Sequence, residues 1–174
     1  MAKQEALFSE FKVDSGAEFS TCRKYRYALW RIWDRKLPFV MFIGLNPSTA
    51  NEFKADPTIN KVEKISRNNG YGGFYMMNCF PYVTAYPNEL LDFFDTPFHD
   101  KEDMKNITNL LRISQKCKAI VFAWGDFKQC VRKGEEISKL FGNQALCLKI
   151  NKKGSPKHPL YCKDDTEFIK YIQI

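Results

Sequence analysis

Three apolar runs constrain the fold of this chain most, because each ends abruptly in a polar cluster. They are VMFIGLNPST (40–49), FYMMNCFPYVTA (74–85) and AIVFAWGDFKQ (119–129). Short apolar runs of this kind are typical of strands that are buried on both faces in a parallel sheet. Helical patterns separate them and indicate βαβ crossovers. The sequence therefore predicts an α/β fold, a three-layer α/β/α sandwich with a mainly parallel central sheet.

Periodicity and chain breakers place the individual elements. The expected strands are 39–45, 74–79, 118–124 and 145–150, preceded by an N-terminal antiparallel strand within 21–33. The expected helices are 56–67, short stretches near 88–95, 99–115, 127–141 and a last helix from about Asp165. Asp56 is expected to cap the first helix, because Pro57 suits a first helical turn.

Size and composition predict one globular domain over residues 1–174. The chain is 44% hydrophobic and 15% aromatic, and it has no long run of Pro, Ser or Gly. Its start, MAKQEALFSEFK, lacks an apolar signal core, and no apolar stretch approaches the ~20 residues that span a bilayer. The six cysteines are scattered without metal-ligand spacing. We expect a cytoplasmic protein with no membrane partner, metal or cofactor.

Positive charge suggests a polyanionic partner. The chain has 27 Lys and Arg against 20 Asp and Glu, which gives a net charge of +7. DNA or a nucleotide would suit this balance, although a solvated basic surface explains it equally well. Arg23, Arg26 and Lys157 are candidates for contacts with a nucleic-acid backbone. For TCRKYRYALWRIW (21–33), the simpler interpretation is an edge strand whose charges keep it soluble.

The polar residues that follow the strands are candidate site residues, since ligands of open α/β sheets bind beyond the carboxyl ends of the strands. Asn46 would hold a water, or it would cap its own loop. Asn78 would read the edge of a base, or it would satisfy loop backbone. The candidate base-binding or nucleotide-binding residues are Gly44, Leu45, Pro47, Ser48, Asn78, Phe80, Trp124 and Gly125.

A fourth segment, SPKHPLY (155–161), adds a candidate imidazole. His158 lies in a short polar loop, where it would donate a hydrogen bond to developing negative charge. Asp56 has a second possible role, as a carboxylate that orients a nucleophilic water. The candidate catalytic residues are therefore Asn46, Asp56 and His158. Covalent hydrolase chemistry is disfavoured because the chain has no GxSxG motif.

Taken in order, GLNPST, YMMNCFPYVTA, VFAWGDFKQ and KHPLY resemble the uracil-DNA glycosylase superfamily. That superfamily has a GxxP-type water-activating loop, a strand that ends in a base-reading Asn, an FLLWG strand and an HPSP loop. GLNPSTAN, ADPT, NNGYGGF, FAWG and KHPLY more closely resemble an uncharacterised bacterial and phage family, a domain of unknown function marked by LNPSTA and DPT.

The superfamily resemblance implies hydrolysis of an N-glycosidic bond in nucleic acid that carries an unusual or modified base. Asn46 would then position the water, Asn78 would select the base, and His158 would hydrogen-bond the departing base anion. The chain differs from the superfamily in having no carboxylate at position 46 and no HPSP serine. These differences favour an alternative, a non-catalytic binder of a nucleotide or small nucleotide signal that uses the same pocket.

Overall fold

The computed structural model describes residues 13–90, 99–128 and 130–172. Its strands are β1 (Asp14–Phe19), β2 (Arg26–Ile32), β3 (Phe39–Gly44), β4 (Gly73–Asn78), β5 (Ala119–Phe122), β6 (Ala145–Cys147) and β7 (Ile169–Lys170). The α-helices in the described ranges are α1 (Pro57–Asn68), α2 (His99–Ser114) and α3 (Cys130–Phe141). Short 3-10 turns occupy Pro87–Glu89, Gly142–Gln144 and Pro159–Tyr161.

The strands form one seven-stranded sheet in the order β1-β2-β4-β3-β5-β6-β7. Its centre is parallel, because β3 pairs in parallel with β4 and β5, and β5 pairs in parallel with β6. The outer strands β1, β2 and β7 are antiparallel to their neighbours. The predicted mixed α/β sheet with a mainly parallel centre is confirmed.

Apolar side chains cover both faces of the sheet, since alternate residues of a strand point to opposite sides. Phe42, Phe74 and Val121 belong to the core cluster that also contains Ile59 and Val62 of α1. The opposite cluster contains Ile43, Met77 and Phe122 together with Leu110 of α2 and Ile137 of α3. Helices therefore cover both faces, which gives the three layers that the crossover pattern predicts.

The edge-strand interpretation of residues 21–33 is wrong, because β2 lies inside the sheet between β1 and β4. Leu29 is fully buried, and even Arg26 is only 2% exposed. The cause is β1, which pairs with β2 along its outer side. The segment DSGAEF is polar and contains a glycine, so its local sequence pattern does not predict a strand.

The helix predicted from about Asp165 is also wrong, because Ile169–Lys170 forms β7 beside β6. Phe168 packs against Phe42 on one face of the sheet, whereas Tyr171 packs against Phe122 on the other. Residues three apart would share one face of a helix, so only an extended chain lets the two rings reach opposite faces.

Other predicted elements end close to their expected positions. The helix expected from Asp56 begins with Pro57 and ends at Asn68. The stretch predicted near 88–95 lies largely outside the described residues. Among the helices of the described ranges, none combines the length and apolar character needed to cross a bilayer.

Candidate functional site

A cavity of about 140 Å³ lies at the carboxyl ends of the parallel strands, on the sheet face covered by α1. We call it the α1-face cavity. The chain passes from β3 to β4 on one side and then places β5 on the other side of β3, so the strand order reverses here. Its lining includes these predicted site residues: Arg26, Gly44, Leu45, Asn46, Ser48, Asp56, Asn78 and His158.

Gly44 ends β3 and forms part of the cavity floor. A Cβ atom at this position would lie 2.6 Å from the Cε methyl of Met76 and 3.1 Å from the side-chain amide of Asn78. The absence of a side chain at Gly44 therefore lets its two neighbours on β4 approach the backbone closely. This supports the predicted role of the glycine in allowing close approach.

Asn46 joins the loop after β3 to the loop after β4. Its amide nitrogen donates to the main-chain oxygens of Pro47 at 2.9 Å and Thr84 at 2.8 Å. A third main-chain oxygen, that of Tyr82, lies 3.5 Å from the same nitrogen. The amide nitrogen is thus committed to loop structure. The amide oxygen is the side-chain atom that is left to accept a hydrogen bond from a ligand or water.

Asn78 ends β4 and is only 1% exposed. The hydrogen-bond network orients its amide so that the nitrogen donates to the main-chain oxygens of Asn46, at 3.3 Å, and Met77, at 3.2 Å. Its own main-chain oxygen accepts from the amide nitrogen of Asn106 on α2, at 2.9 Å. Asn78 is therefore held firmly and leaves its side-chain oxygen as a hydrogen-bond acceptor.

His158 supplies a hydrogen-bond donor to the cavity. Its Nδ1 accepts from the main-chain N–H of Leu160 at 3.3 Å. Burial lowers the pKa of His158, although the nearby Asp56 carboxylate partly opposes this effect. The imidazole is therefore neutral near pH 7, and with Nδ1 acting as an acceptor its proton is on Nε2. His158 therefore carries one hydrogen-bond donor, its neutral Nε2–H group.

Gly125 packs against the loop that contains His158. It has a left-handed backbone with φ +81° and accommodates the neighbouring chain because it has no side chain. A Cβ atom there would lie 3.3 Å from the Cβ of His158. The main-chain N–H of Gly125 also donates to the oxygen of Pro156 at 3.0 Å. The end of β5 and the histidine loop are thus packed as one unit.

Asp56 and Arg26 are the charged side chains of the cavity. Asp56 caps α1 as predicted, since its Oδ1 accepts from the main-chain N–H of Ile59 at 2.9 Å. Arg26 reaches in from β2, and its Nη1 donates to the main-chain oxygen of Ala50 at 2.8 Å. Burial lowers the pKa of Arg26 to about 10 despite the attraction of Asp56. Arg26 therefore stays positively charged at neutral pH.

Some predicted site residues lie elsewhere. Phe80 is fully buried in the core cluster of the opposite face. Pro47 is not among the lining residues of the α1-face cavity, and its main-chain oxygen accepts from Thr84 N–H at 3.0 Å. Arg23 is exposed, and both carboxylate oxygens of Glu52 lie 3.0 Å from its Nη2. Lys157 joins the loop through a main-chain bond to Lys149 at 2.8 Å.

Trp124 and Gly125 instead line a second and larger cavity of about 350 Å³, which we call the α3-face cavity. Trp124 belongs to the core cluster of the face that α3 covers. Phe127 lines both cavities and so forms the wall between them. The grouping of Trp124 with the base-contacting residues is therefore not supported by its position.

Sequence reasoning missed several residues of the α1-face cavity. Thr58, Thr84 and Phe127 lie close to residues that were singled out, but their side chains carry no distinctive chemical pattern. Their positions follow from how the loops fold back over the strand ends. In the described ranges, no group of three or more His, Cys, Asp or Glu side chains could hold a metal ion.

Comparison with known proteins identifies a family. The matching family model is described as "Protein of unknown function (DUF1643)", and the match covers residues 26–160. The chain therefore belongs to this family, as its motifs predict. No curated protein matches the chain, and no solved structure matches it. The family description assigns no activity, so a functional proposal depends on the geometry of the site.

Proposed function

We propose that this protein is a uracil-DNA glycosylase-like enzyme that binds one unusual or modified base of a nucleic acid and hydrolyses its N-glycosidic bond. The observation that carries the proposal is the convergence of Asn46, Asn78 and His158. These residues come from three separate segments of the chain, and all three line the α1-face cavity. Asn46 follows β3, Asn78 ends β4, and His158 precedes the 3-10 turn Pro159–Tyr161.

The size of the cavity favours a single ring. Its volume is about 140 Å³. A cavity of about 150 Å³ holds a benzene molecule in an engineered protein, whereas pockets for drug-sized ligands begin near 300 Å³. A six-membered heterocycle therefore fits, while the sugar and phosphate groups would stay outside. This is the arrangement expected of a protein that acts on an extruded base.

The polar groups match the charges that change during hydrolysis. Water attacks C1′ of the sugar, the C1′–N bond breaks, and its electron pair leaves with the base. The Nε2–H of His158 would donate to an oxygen of the departing base, and the Asn46 amide oxygen would accept a hydrogen bond from the water. The proton that the water loses can pass to the Asp56 carboxylate, which also lines the cavity.

The test is release of a base from DNA. Oligonucleotides that carry uracil, thymine mismatches or hypermodified pyrimidines are incubated with the protein and assayed for abasic sites. We expect abasic sites with at least one substrate and their loss in His158→Gln. Tight binding of the same oligonucleotides without release of any base would retire the enzymatic proposal.

A non-catalytic binder is the second candidate, and the hydrogen bonds of Asn46 favour it. The amide nitrogen of Asn46 is committed to main-chain oxygens, which suits a residue that holds a loop together. In this case the purified protein would carry a nucleotide or nucleoside that mass spectrometry detects. A protein without such a ligand, with no thermal shift across a nucleotide panel, would count against this candidate.

A further inference from the structure

Arg26 is an unusual feature of the α1-face cavity, because a charged group is buried there with part of its hydrogen-bonding capacity unused. The residue is 2% exposed and lines the cavity. Nη1 donates to Ala50 O at 2.8 Å, but Nε is buried and has no hydrogen-bond partner among the described residues. Buried cations are normally paired or fully hydrogen-bonded, since leaving water is costly for a charge.

Among the described residues, Arg26 has no close ionic partner. Asp56 attracts it from a distance, and Arg31 repels it. The Asp56 carboxylate also accepts the N–H of Ile59 at the start of α1. Arg31 points to the loop beyond β3, where its Nη2 donates to Asn51 O at 2.8 Å. An anionic ligand in the cavity would supply the acceptor that the protein does not.

We propose that Arg26 binds the negative charge of the departing base, so that the cavity selects heterocycles that leave readily as anions. This inference rests on the proposed function. When the C1′–N bond breaks, both of its electrons go to the base, and the water oxygen forms the new bond to C1′. Arg26 keeps its proton and donates an N–H to a ring atom that carries the charge. His158, which lines the same cavity, would donate its Nε2–H to the same anion.

The arrangement also explains why the arginine lies on an interior strand. Strand β1 covers β2 from outside, so Arg26 is withdrawn from solvent. In a site that excludes water, a fixed cation interacts more strongly with developing charge than it would at the surface. A surface arginine that contacts phosphates, which the sequence predicts, would instead remain solvated.

Free pyrimidines of different acidity test the proposal. Uracil and 5-fluorouracil are nearly isosteric, but 5-fluorouracil loses its ring proton more readily. Their affinities are measured by calorimetry at neutral and mildly alkaline pH for the wild-type protein, Arg26→Lys and Arg26→Met. We expect the wild-type protein to prefer 5-fluorouracil by about tenfold, the effect of one charged hydrogen bond, and more strongly as the pH rises.

The two Arg26 variants separate the contribution of the positive charge from the contribution of side-chain packing. Arg26→Lys keeps the charge and should retain much of the preference, whereas Arg26→Met keeps most of the volume and should lose most of it, leaving only the contribution of His158. Among the described residues, Asp56 and Arg31 act electrostatically on Arg26, and His158 lines the same cavity, so the same measurement in Asp56→Asn shows whether the pH effect belongs to the ligand. The pH dependence of the preference should persist in Asp56→Asn.

The possible outcomes distinguish this inference from the proposed function. If folded Arg26→Met keeps the wild-type preference, the role of Arg26 is overturned while base recognition stands. If Arg26→Met does not fold, the result with Arg26→Lys decides, and an unchanged preference that does not vary with pH overturns the role. If the wild-type protein binds neither pyrimidine, this inference fails, and the abasic-site assay alone decides the proposed function.

Discussion

Two cavities open at the same edge of the sheet, one on each face, and they differ in chemistry more than in size. The α3-face cavity is larger, at about 350 Å³ against about 140 Å³. Its charged lining residues are Asp126, Glu135 and Lys153, of which Asp126 and Lys153 pair with each other at 3.6 Å. The smaller cavity is lined by Asn46, Asn78 and His158, and also by Arg26, whose Nε has no hydrogen-bond partner among the described residues. The two cavities therefore differ in the polar groups of their linings as well as in volume.

Strand alternation explains the difference between the two faces. At the strand ends, Gly44 and Asn78 point to the α1 face, while Cys79 and Trp124 belong to the core cluster of the other face. Successive side chains of a strand point to opposite sides, so one face receives the polar residues and the other receives the apolar ones. The predictions below test this assignment, from the largest expected effect to the smallest.

The largest effect is expected for His158→Gln. Loss of a donor that is aimed at developing negative charge typically lowers kcat by about 10²–10³-fold. The matched control is Tyr171→Phe in the α3-face cavity, which removes only the hydroxyl bond to Gly154 O at 3.1 Å. Base release by both variants is measured under single-turnover conditions. Equal losses in the two variants would break the distinction between the cavities.

Asn46→Ala should lower stability as well as activity. The substitution removes the bonds from the amide nitrogen to Pro47 O and Thr84 O and leaves these main-chain acceptors to find other partners. The expected loss is about 1–3 kcal/mol in the free energy of unfolding, measured by urea denaturation. Ser155→Ala, near the other cavity, is the comparison. Unchanged stability of Asn46→Ala would show that the loops do not depend on this side chain.

Gly44→Ala should reduce ligand affinity by about tenfold with little effect on folding, because a new methyl group would push Met76 and the Asn78 amide into the cavity. Gly134→Ala is the matched control on α3, where a Cβ would lie 3.1 Å from the Trp124 ring. Alanine also favours the helix over glycine by about 1 kcal/mol. The control should keep its affinity, and an equal loss there would contradict the assignment.

Two substitutions of Asp56 separate its role as the cap of α1 from the role of its negative charge. Asp56→Asn retains an oxygen that can accept the N–H of Ile59, whereas Asp56→Ala loses it and should destabilise the protein by about 1 kcal/mol. If the carboxylate also takes the proton of the attacking water, both variants lose activity. A fully active Asp56→Asn would restrict this residue to its structural role.

The pH dependence of stability provides the smallest effect. In the folded protein the pKa of His158 lies below its ordinary value of about 6.5. As the pH falls through about 6.5, His158 of the unfolded chain takes up a proton before His158 of the folded protein does. The free energy of unfolding therefore decreases below about pH 6.5, and His158 does not change it above that pH. Melting temperatures across this range should fall more steeply for the wild-type protein than for His158→Gln. Parallel curves would contradict a neutral imidazole that is partly withdrawn from water.

The parts of the fold that local patterns describe were predictable. The apolar runs around Val40, Phe74 and Ile120 gave the parallel strands, because burial on both faces leaves a continuous apolar signal. The cap at Asp56 was predictable for a similar reason, since Pro57 and the residue before it act within one helical turn. The grouping of Asn46 and Asn78 followed from the rule that parallel strands end at a common edge, whereas His158 was added from its short polar loop and from the resemblance of KHPLY to the HPSP loop.

What could not be predicted depends on partners that are distant in sequence. Arg26 alternates with aromatic residues as a surface residue would, and only its burial under β1 shows that it lies inside. The short β7 forms because β6 offers an edge and because Phe168 and Tyr171 pack on opposite faces of the sheet. Neither effect can be predicted from the local sequence pattern.

The bonds that join the loops after β3 and β4 have a consequence for the affinity of the site. Phe80 N–H donates to Leu45 O at 2.9 Å and Thr84 N–H to Pro47 O at 3.0 Å, so the two loops are linked at both ends. The two linked loops lose their conformational entropy when the protein folds. A ring that binds against them restricts little additional motion, and more of the contact energy is retained as affinity.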